Sequence, residues 1–272
     1  PGWGDFSVLA LYFKLIEKRK MHHEKITTVA GIGCSSRFPY FVQAHGAHFI
    51  HGRALPFATG VSLSRPDLHV FVFGGDGDAF SIGGNHFTHT ARKNVKLTYC
   101  VMDNNVYGLT KNQTSPTSPI GYKSKTDGWG SGDRPINPMK QAIAAGATFV
   151  ARTTHTNPNH VLQMMEAAMD HDGFSFIECL SECVEFYPGA FDGANPRKGG
   201  QFPLVPEDHD VTDEYAAYKL SEDLMPGKFG IFYKVSRATK NANEAKIIST
   251  NREKFAALKD WQILQKNFDR MK

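Results

Sequence analysis

Residues 70–116, VFVFGGDGDAFSIGGNHFTHTARKNVKLTYCVMDNNVYGLTKNQTSP, leave few folds open to this chain. An apolar run ends in Gly74-Gly-Asp-Gly-Asp78, a helix-prone segment follows over 80–92, and a second apolar run over 95–102 ends in Asp103-Asn-Asn105. Strand, glycine-rich turn, helix and strand in that order make a βαβ unit, whose right-handed crossover brings both turns to one carboxyl edge of a parallel sheet. Open α/β sheets hold their ligands at that edge. The chemistry of the chain is expected there.

The flanking sequence repeats the alternation. Val8, Leu9, Leu11, Tyr12, Leu15 and Ile16 recur at helical spacing within residues 6–19. A β-rich segment, 26–30, runs into Gly31-Ile-Gly33-Cys-Ser-Ser36, a small-residue turn that lets a backbone approach a ligand closely. His51-Gly-Arg53 reads as a turn opening a tightly packed helix, and further helices are expected over 139–145 and 161–171, with strands over 147–153 and 174–178. This order predicts an α/β fold built on a parallel sheet. Residues 114–138, rich in Ser, Gly, Pro and Thr, read as a long loop, and loops of that length inside a domain are usually functional. The texture changes after Cys183. We therefore expect a main domain over 1–183 and a helical and irregular extension over 184–272, with helices at 214–224 and 250–272 around a short strand at 229–235. The extension would pack on the main domain or on a partner subunit.

The charge of +4 is spread along the chain rather than gathered into runs, which argues against a nucleic-acid partner. No apolar run reaches the roughly 18 residues of a membrane span, and the first twenty or so residues lack the pattern of a secretory leader, so a cytoplasmic location is expected. Four cysteines in a chain of 272 residues suit thiols or metal ligands better than disulfides. Residues 25–66 contain no Asp or Glu but include Arg37, Arg53, Arg65, His45, His48 and His51. That region faces either an anion or solvent.

In the central stretch, Asp76 and Asp78 stand on a nearly bare backbone, and Asn104 follows Gly77 after 26 intervening residues. A hard cation such as Mg²⁺ takes oxygen ligands and is commonly held by one or two carboxylates plus substrate phosphates. Asp76 and the Asn104 amide oxygen would supply two positions, and the amides of Gly77 and Asp78 would meet the phosphates at a helix start. The plainer alternative is two unrelated polar turns. A dinucleotide loop at Gly31–Ser36 is disfavoured, because its third position is Ser36 and no acidic residue lies about 20 positions later to hold a ribose.

Taken in order, Pro1-Gly-Trp-Gly-Asp-Phe6, GIGCSSRFPYF at 31–41, HGRALPFATG at 51–60, GGDGDAFSIGGNHF at 74–87, DNNVYGLTKNQTSPT at 103–117 and FVAR at 149–152 resemble the β subunit of 2-oxoacid:ferredoxin oxidoreductases, in particular the 2-oxoglutarate type. The match runs from the first residue through Cys183, and more loosely over FGIFYKV at 229–235. The resemblance implies a thiamine-diphosphate-binding domain. Asp76, Asn104 and the Val106 carbonyl would bind Mg²⁺. Ile32, Gly33, Cys34, Ser35, His51, Gly77, Asp78, Leu109 and Thr110 would contact the cofactor. A 2-oxoacid would be decarboxylated there, its acyl group passed to coenzyme A and its electrons to ferredoxin through a [4Fe–4S] cluster. The glutamate that activates the cofactor would come from an α subunit, so this chain would be inactive alone.

The resemblance also implies roles at the reacting end. His51 would act beside the thiazolium, where the alternative is a core histidine bonded to a backbone carbonyl. Leu109-Thr-Lys111 replaces the Asn-Thr-Gly of pyruvate-specific relatives, and Arg37 sits where relatives accepting 2-oxoglutarate carry a basic residue able to hold a second carboxylate. The cluster motif departs from the family pattern. Cys34 and Cys183 match the third and fourth ligands, Trp3 occupies the second position, and the first would precede Pro1. A cluster with fewer cysteines or a substitute ligand, a lost cluster, and an altered sequence are the alternatives, of which a cluster on an upstream-truncated chain is favoured. Cys100 and Cys179 are expected in the core. Without a cluster, a thiamine-diphosphate decarboxylase or carboligase, or a non-catalytic scaffold subunit, would remain.

Overall fold

The structure is a computed structural model that describes residues 3–224 and 227–271. Its elements in chain order are α1 (Trp3–Lys18), β1 (Ile26–Ala30), β2 (His45–His48), α2 (Ala54–Ser64), β3 (His69–Gly75), α3 (Gly84–Lys93), β4 (Leu97–Asp103), the short pair β5 (Val106–Tyr107) and β6 (Gln113–Thr114), α4 (Pro138–Ala144), β7 (Phe149–Thr154), α5 (Pro158–Met169), β8 (Phe174–Leu180), α6 (Glu214–Leu220), β9 (Gly230–Lys234), α7 (Lys240–Lys254) and α8 (Asp260–Asp269).

Seven strands form one sheet in the order β2-β1-β3-β4-β8-β7-β9, parallel throughout except for β9, which runs antiparallel to β7. β4, β7 and β8 are buried along their whole length, as expected of central parallel strands covered on both faces. One face packs Val8, Tyr12 and Leu15 of α1 with Val161 and Met165 of α5 against Phe71, Phe73 and Ile177. The opposite face packs Leu55 of α2, Phe87 of α3 and Met139 of α4 against Val72, Tyr99 and Phe176. α4 and α5 start alike: Asn137 and Asn157 accept the amides of Lys140 and His160, each with proline at the first helical turn.

The chain runs from β1 outward to β2 and returns on the other side of β1 as β3, so the strand order reverses between β1 and β3. That reversal opens a crevice at the carboxyl edge, the standard place for a ligand in such a sheet. The loops after β1, β2, β3 and β4 all reach it.

Several sequence expectations shift. Residues 45–48 form an edge strand, hidden from pattern reading by their histidines and glycine. The helix expected over 80–92 opens instead with a π turn at Asp78–Ile82 and becomes regular only from Gly84, because Gly83 and Gly84 weaken the helix between them. The helix expected over 214–224 stops at Leu220. The single helix expected over 250–272 is two, α7 starting ten residues earlier at the Thr239 cap and α8 starting after an extended Lys259, with Lys272 outside the described residues. The extension also enters the main sheet, since β9 pairs with β7.

Arg152 stitches this extension to the core. Its Nε donates to Glu178 Oε2 at 2.5 Å, its Nη1 to the Asp223 carbonyl at 3.1 Å, and its guanidinium stands 5.9 Å from the Phe232 ring centroid. Both charges are buried. Glu178→Ala leaves the arginine charged and unpaired and should lower stability by about 3–5 kcal/mol, whereas Arg152→Met with Glu178→Leu should recover most of that loss; guanidinium denaturation reads both. His160 and His171 are buried, and burial pushes both imidazoles down to about 4 from 6.5. The unfolded chain therefore binds more protons between these values, and the histidines' contribution to stability is lost as pH falls through that window. In His160→Asn, the fall in unfolding free energy between about pH 6.5 and 4 should be shallower than in the parent.

Candidate functional site

A cavity of about 480 Å³ opens at the carboxyl edge where the strand order reverses. It is lined by Ile32, Gly33, Cys34 and Ser35 after β1, His51 after β2, Asp76, Gly77 and Asp78 after β3, and Asn104, Val106, Leu109 and Thr110 after β4. All twelve are residues that the sequence assigned to a cofactor or to Mg²⁺ by name. Arg37 and Lys111 lie outside it. Arg37 lines a neighbouring cavity of about 290 Å³ with Asp5, Phe6, Phe38 and Phe41, and Lys111 lines a third, of about 460 Å³, with Cys183. Cys34 and Leu109 border all three.

Asp78 does not turn its carboxylate toward a ligand. Its Oδ1 accepts the Ile32 amide at 2.9 Å, the Gly52 amide at 2.7 Å and His51 Nδ1 at 3.0 Å. The loops after β1, β2 and β3 thus close on one buried oxygen. Gly31 makes room for it, since a Cβ there would lie 2.1 Å from the carboxylate. This contact engages the Nδ1 of His51 and leaves Nε2 as the ring nitrogen turned away from Asp78. His51 therefore lines the cavity held through Nδ1 by a side-chain carboxylate, not by a backbone carbonyl.

Asp76 has different surroundings. Its Oδ2 accepts the hydroxyls of Ser115 at 2.5 Å and Thr117 at 2.8 Å, and among the described residues no Lys or Arg pairs with it. Burial pushes its carboxyl above the usual range, and burial beside Asp76 and Glu178 does the same, more strongly, to Asp103. The Thr117 hydroxyl is 2.8 Å from both Asp76 Oδ2 and Asp103 Oδ1 but owns one proton. The Asn104 Oδ1 accepts the Val106 amide at 3.1 Å, and Asn105 takes a left-handed φ of 58°, which turns the chain back over the cavity. A buried carboxylate without a counter-charge, beside an amide oxygen and a turned backbone, is a donor set that fits a hard divalent cation.

Gly77 permits the close approach of Tyr107, whose ring would lie 2.1 Å from a Cβ at that position. Tyr107, Ser115 and Thr117 were not singled out by the sequence. Their signal was weak, because a Ser- and Thr-rich loop betrays no inward direction until the fold buries it. At the third cavity, Gly108 lies close to two thiols: a Cβ there would lie 3.4 Å from Cys183 Sγ and 3.7 Å from Cys34 Sγ. Cys100 and Cys179 are buried in the core. The Trp3 side chain lies outside the described residues.

Residues 27–179 match the family model described as thiamine pyrophosphate enzyme, C-terminal TPP binding domain. The 2-oxoglutarate synthase subunit KorB of Methanocaldococcus jannaschii is 44% identical over 186 residues, 68% of this chain and 69% of that subunit. This chain belongs to the 2-oxoacid:ferredoxin oxidoreductase β-subunit family. The 2-oxoglutarate oxidoreductase subunit KorB of Mycobacterium tuberculosis is 45% identical over 71% of the chain, and the match spans about half, 52%, of that relative. A solved 2-oxoglutarate:ferredoxin oxidoreductase from Magnetococcus marinus, with 2-oxoglutarate, coenzyme A and succinyl-CoA bound, has a TM-score of 0.87 at 39% identity over 97% of this chain and 89% of that one. Among the described residues, no helix of this β-subunit chain is long and apolar enough to cross a membrane.

Removing the shared acceptor tests the scaffold of this β-subunit site. Asp78→Ala strands two backbone amides and His51, and should cost on the order of 3 kcal/mol in urea denaturation. A loss below about 1 kcal/mol would mean that the loops do not depend on it.

Proposed function

We propose that this chain is the cofactor-binding β subunit of a 2-oxoglutarate:ferredoxin oxidoreductase, acting with an α subunit to convert 2-oxoglutarate and coenzyme A to succinyl-CoA and carbon dioxide. The observation that carries the reading is the single cavity at the β1–β3 reversal, where uncompensated Asp76, Asn104 and Val106 stand beside the bare Gly77 turn and an oriented His51. Asp76 Oδ, Asn104 Oδ1 and the Val106 carbonyl would hold Mg²⁺, and the Gly77 and Asp78 amides would take the diphosphate. Thiamine diphosphate, when bound, supplies the nucleophilic carbon and electron sink that decarboxylation of a 2-oxoacid requires.

The chain's own residues then position and exchange protons. Asp78 holds His51 so that Nε2 can accept a hydrogen bond or proton at the reacting end. Ser115 and Thr117 hold the Asp76 carboxylate in place. Leu109, half exposed, borders both this cavity and the one lined by Arg37, so a substrate spanning the two would pass beside it. Arg37 would receive the distal carboxylate of 2-oxoglutarate from that adjoining cavity. Cys34 and Cys183, both close to Gly108, would hold an iron–sulfur cluster that passes electrons to ferredoxin. The bare Cα of Gly108 leaves the space between the thiols open.

Titration calorimetry on the assembled enzyme should show Asp76→Ala weakening Mg²⁺-dependent thiamine diphosphate binding by roughly 10–100-fold or more. Unchanged binding would sink the clamp. Arg37→Ile should lower turnover of 2-oxoglutarate relative to pyruvate, and an unchanged ratio would remove Arg37 from substrate choice.

A further inference from the structure

A chain of contacts runs from the edge strand β2 to Arg37. Arg37 and Tyr40 lie three residues apart in a 3₁₀ turn over Ser35–Tyr40. Side chains so spaced in a 3₁₀ turn stand one above the other, and the Arg37 guanidinium carbon lies 5.4 Å from the Tyr40 ring centroid. Among the described residues the Arg37 side chain makes no hydrogen bond or ion pair, so the Tyr40 ring is what orients its charge.

That ring is fixed at its far end. The Tyr40 hydroxyl lies 2.7 Å from His48 Nδ1, and the two rings meet edge to face with centroids 5.1 Å apart. His48 Nε2 is buried and has no hydrogen-bond partner among the described residues, so the polar bonding of this imidazole goes to Tyr40. His48 is itself set by backbone pairing, as the last residue of β2, opposite Ala30 of β1. Tyr40 is 64% exposed, so its ring does not fill the core. A surface ring pinned at its hydroxyl suits holding a cation better than packing. Asp5, the acid of the Arg37 cavity, accepts from Ser181 and forms no ion pair with Arg37, which leaves the guanidinium donors available to a substrate carboxylate.

We propose that Tyr40 is a positioning residue for substrate choice: anchored by His48, its ring presents the Arg37 guanidinium to the cavity it shares with Leu109, where the distal carboxylate of the 2-oxoacid would arrive. The inference rests on the reading of Arg37 as receiver of that carboxylate.

The test is steady-state kinetics of the assembled enzyme with 2-oxoglutarate. Tyr40→Leu removes the ring and should raise KM roughly 2- to 5-fold with little change in kcat. Tyr40→Phe keeps the ring and should stay closer to the parent. In an Arg37→Ile background Tyr40→Leu should add nothing, because the two side chains act as one unit. A parent-like KM in Tyr40→Leu, where Arg37→Ile raises it, would overturn the role of Tyr40 and leave that of Arg37 standing. So would additive effects of the two substitutions, or a Tyr40→Phe enzyme as weak as Tyr40→Leu. An Arg37→Ile enzyme with an unchanged KM would overturn both readings.

Discussion

The site depends on one buried carboxylate oxygen. Asp78 Oδ1, in the turn after β3, accepts from the loops after β1 and β2 at once, at the edge where the strand order reverses. Hydrogen bonds from backbone amides satisfy the charge without a cation, so the anchor is strong and geometrically specific. The requirement propagates to neighbouring positions. Gly31 must lack a side chain to admit the carboxylate, and the His51 ring is held through Nδ1.

Two residues away, Asp76 has the opposite environment. Hydroxyl groups from residues 115 and 117 orient it but do not neutralise it, and Asp103 shares its pocket. One acid of the Gly-Asp-Gly-Asp turn therefore builds the cavity, and the other leaves it short of positive charge.

The three cavities are not independent. Cys34 and Leu109 border each of them, and the segment from Leu109 to Asn112 ends in two residues with φ near 72° that fold it back over the edge. Substrate choice, cofactor chemistry and electron exit, as proposed, would thus share one thiol and one aliphatic wall. A change at Leu109 would be felt in all three.

Much of this was legible from the residues alone. Apolar runs alternating with helical periods specified a parallel α/β sheet, and the paired turns at 74–78 and 103–105 located its working edge, because a βαβ crossover has only one hand. Other features required the folded chain. β2 carries histidines and a glycine where a strand pattern would show aliphatic residues, and its pairing with β1 is a long-range choice. The inward turn of Ser115 and Thr117 onto Asp76 and the placing of Arg37 and Lys111 outside the main cavity depend on residues far apart in the chain. The sequence determined which donors exist and which edge they reach. Only the tertiary structure decided which donor is already satisfied and which still lacks a partner, because that depends on burial and on neighbours that local pattern does not encode.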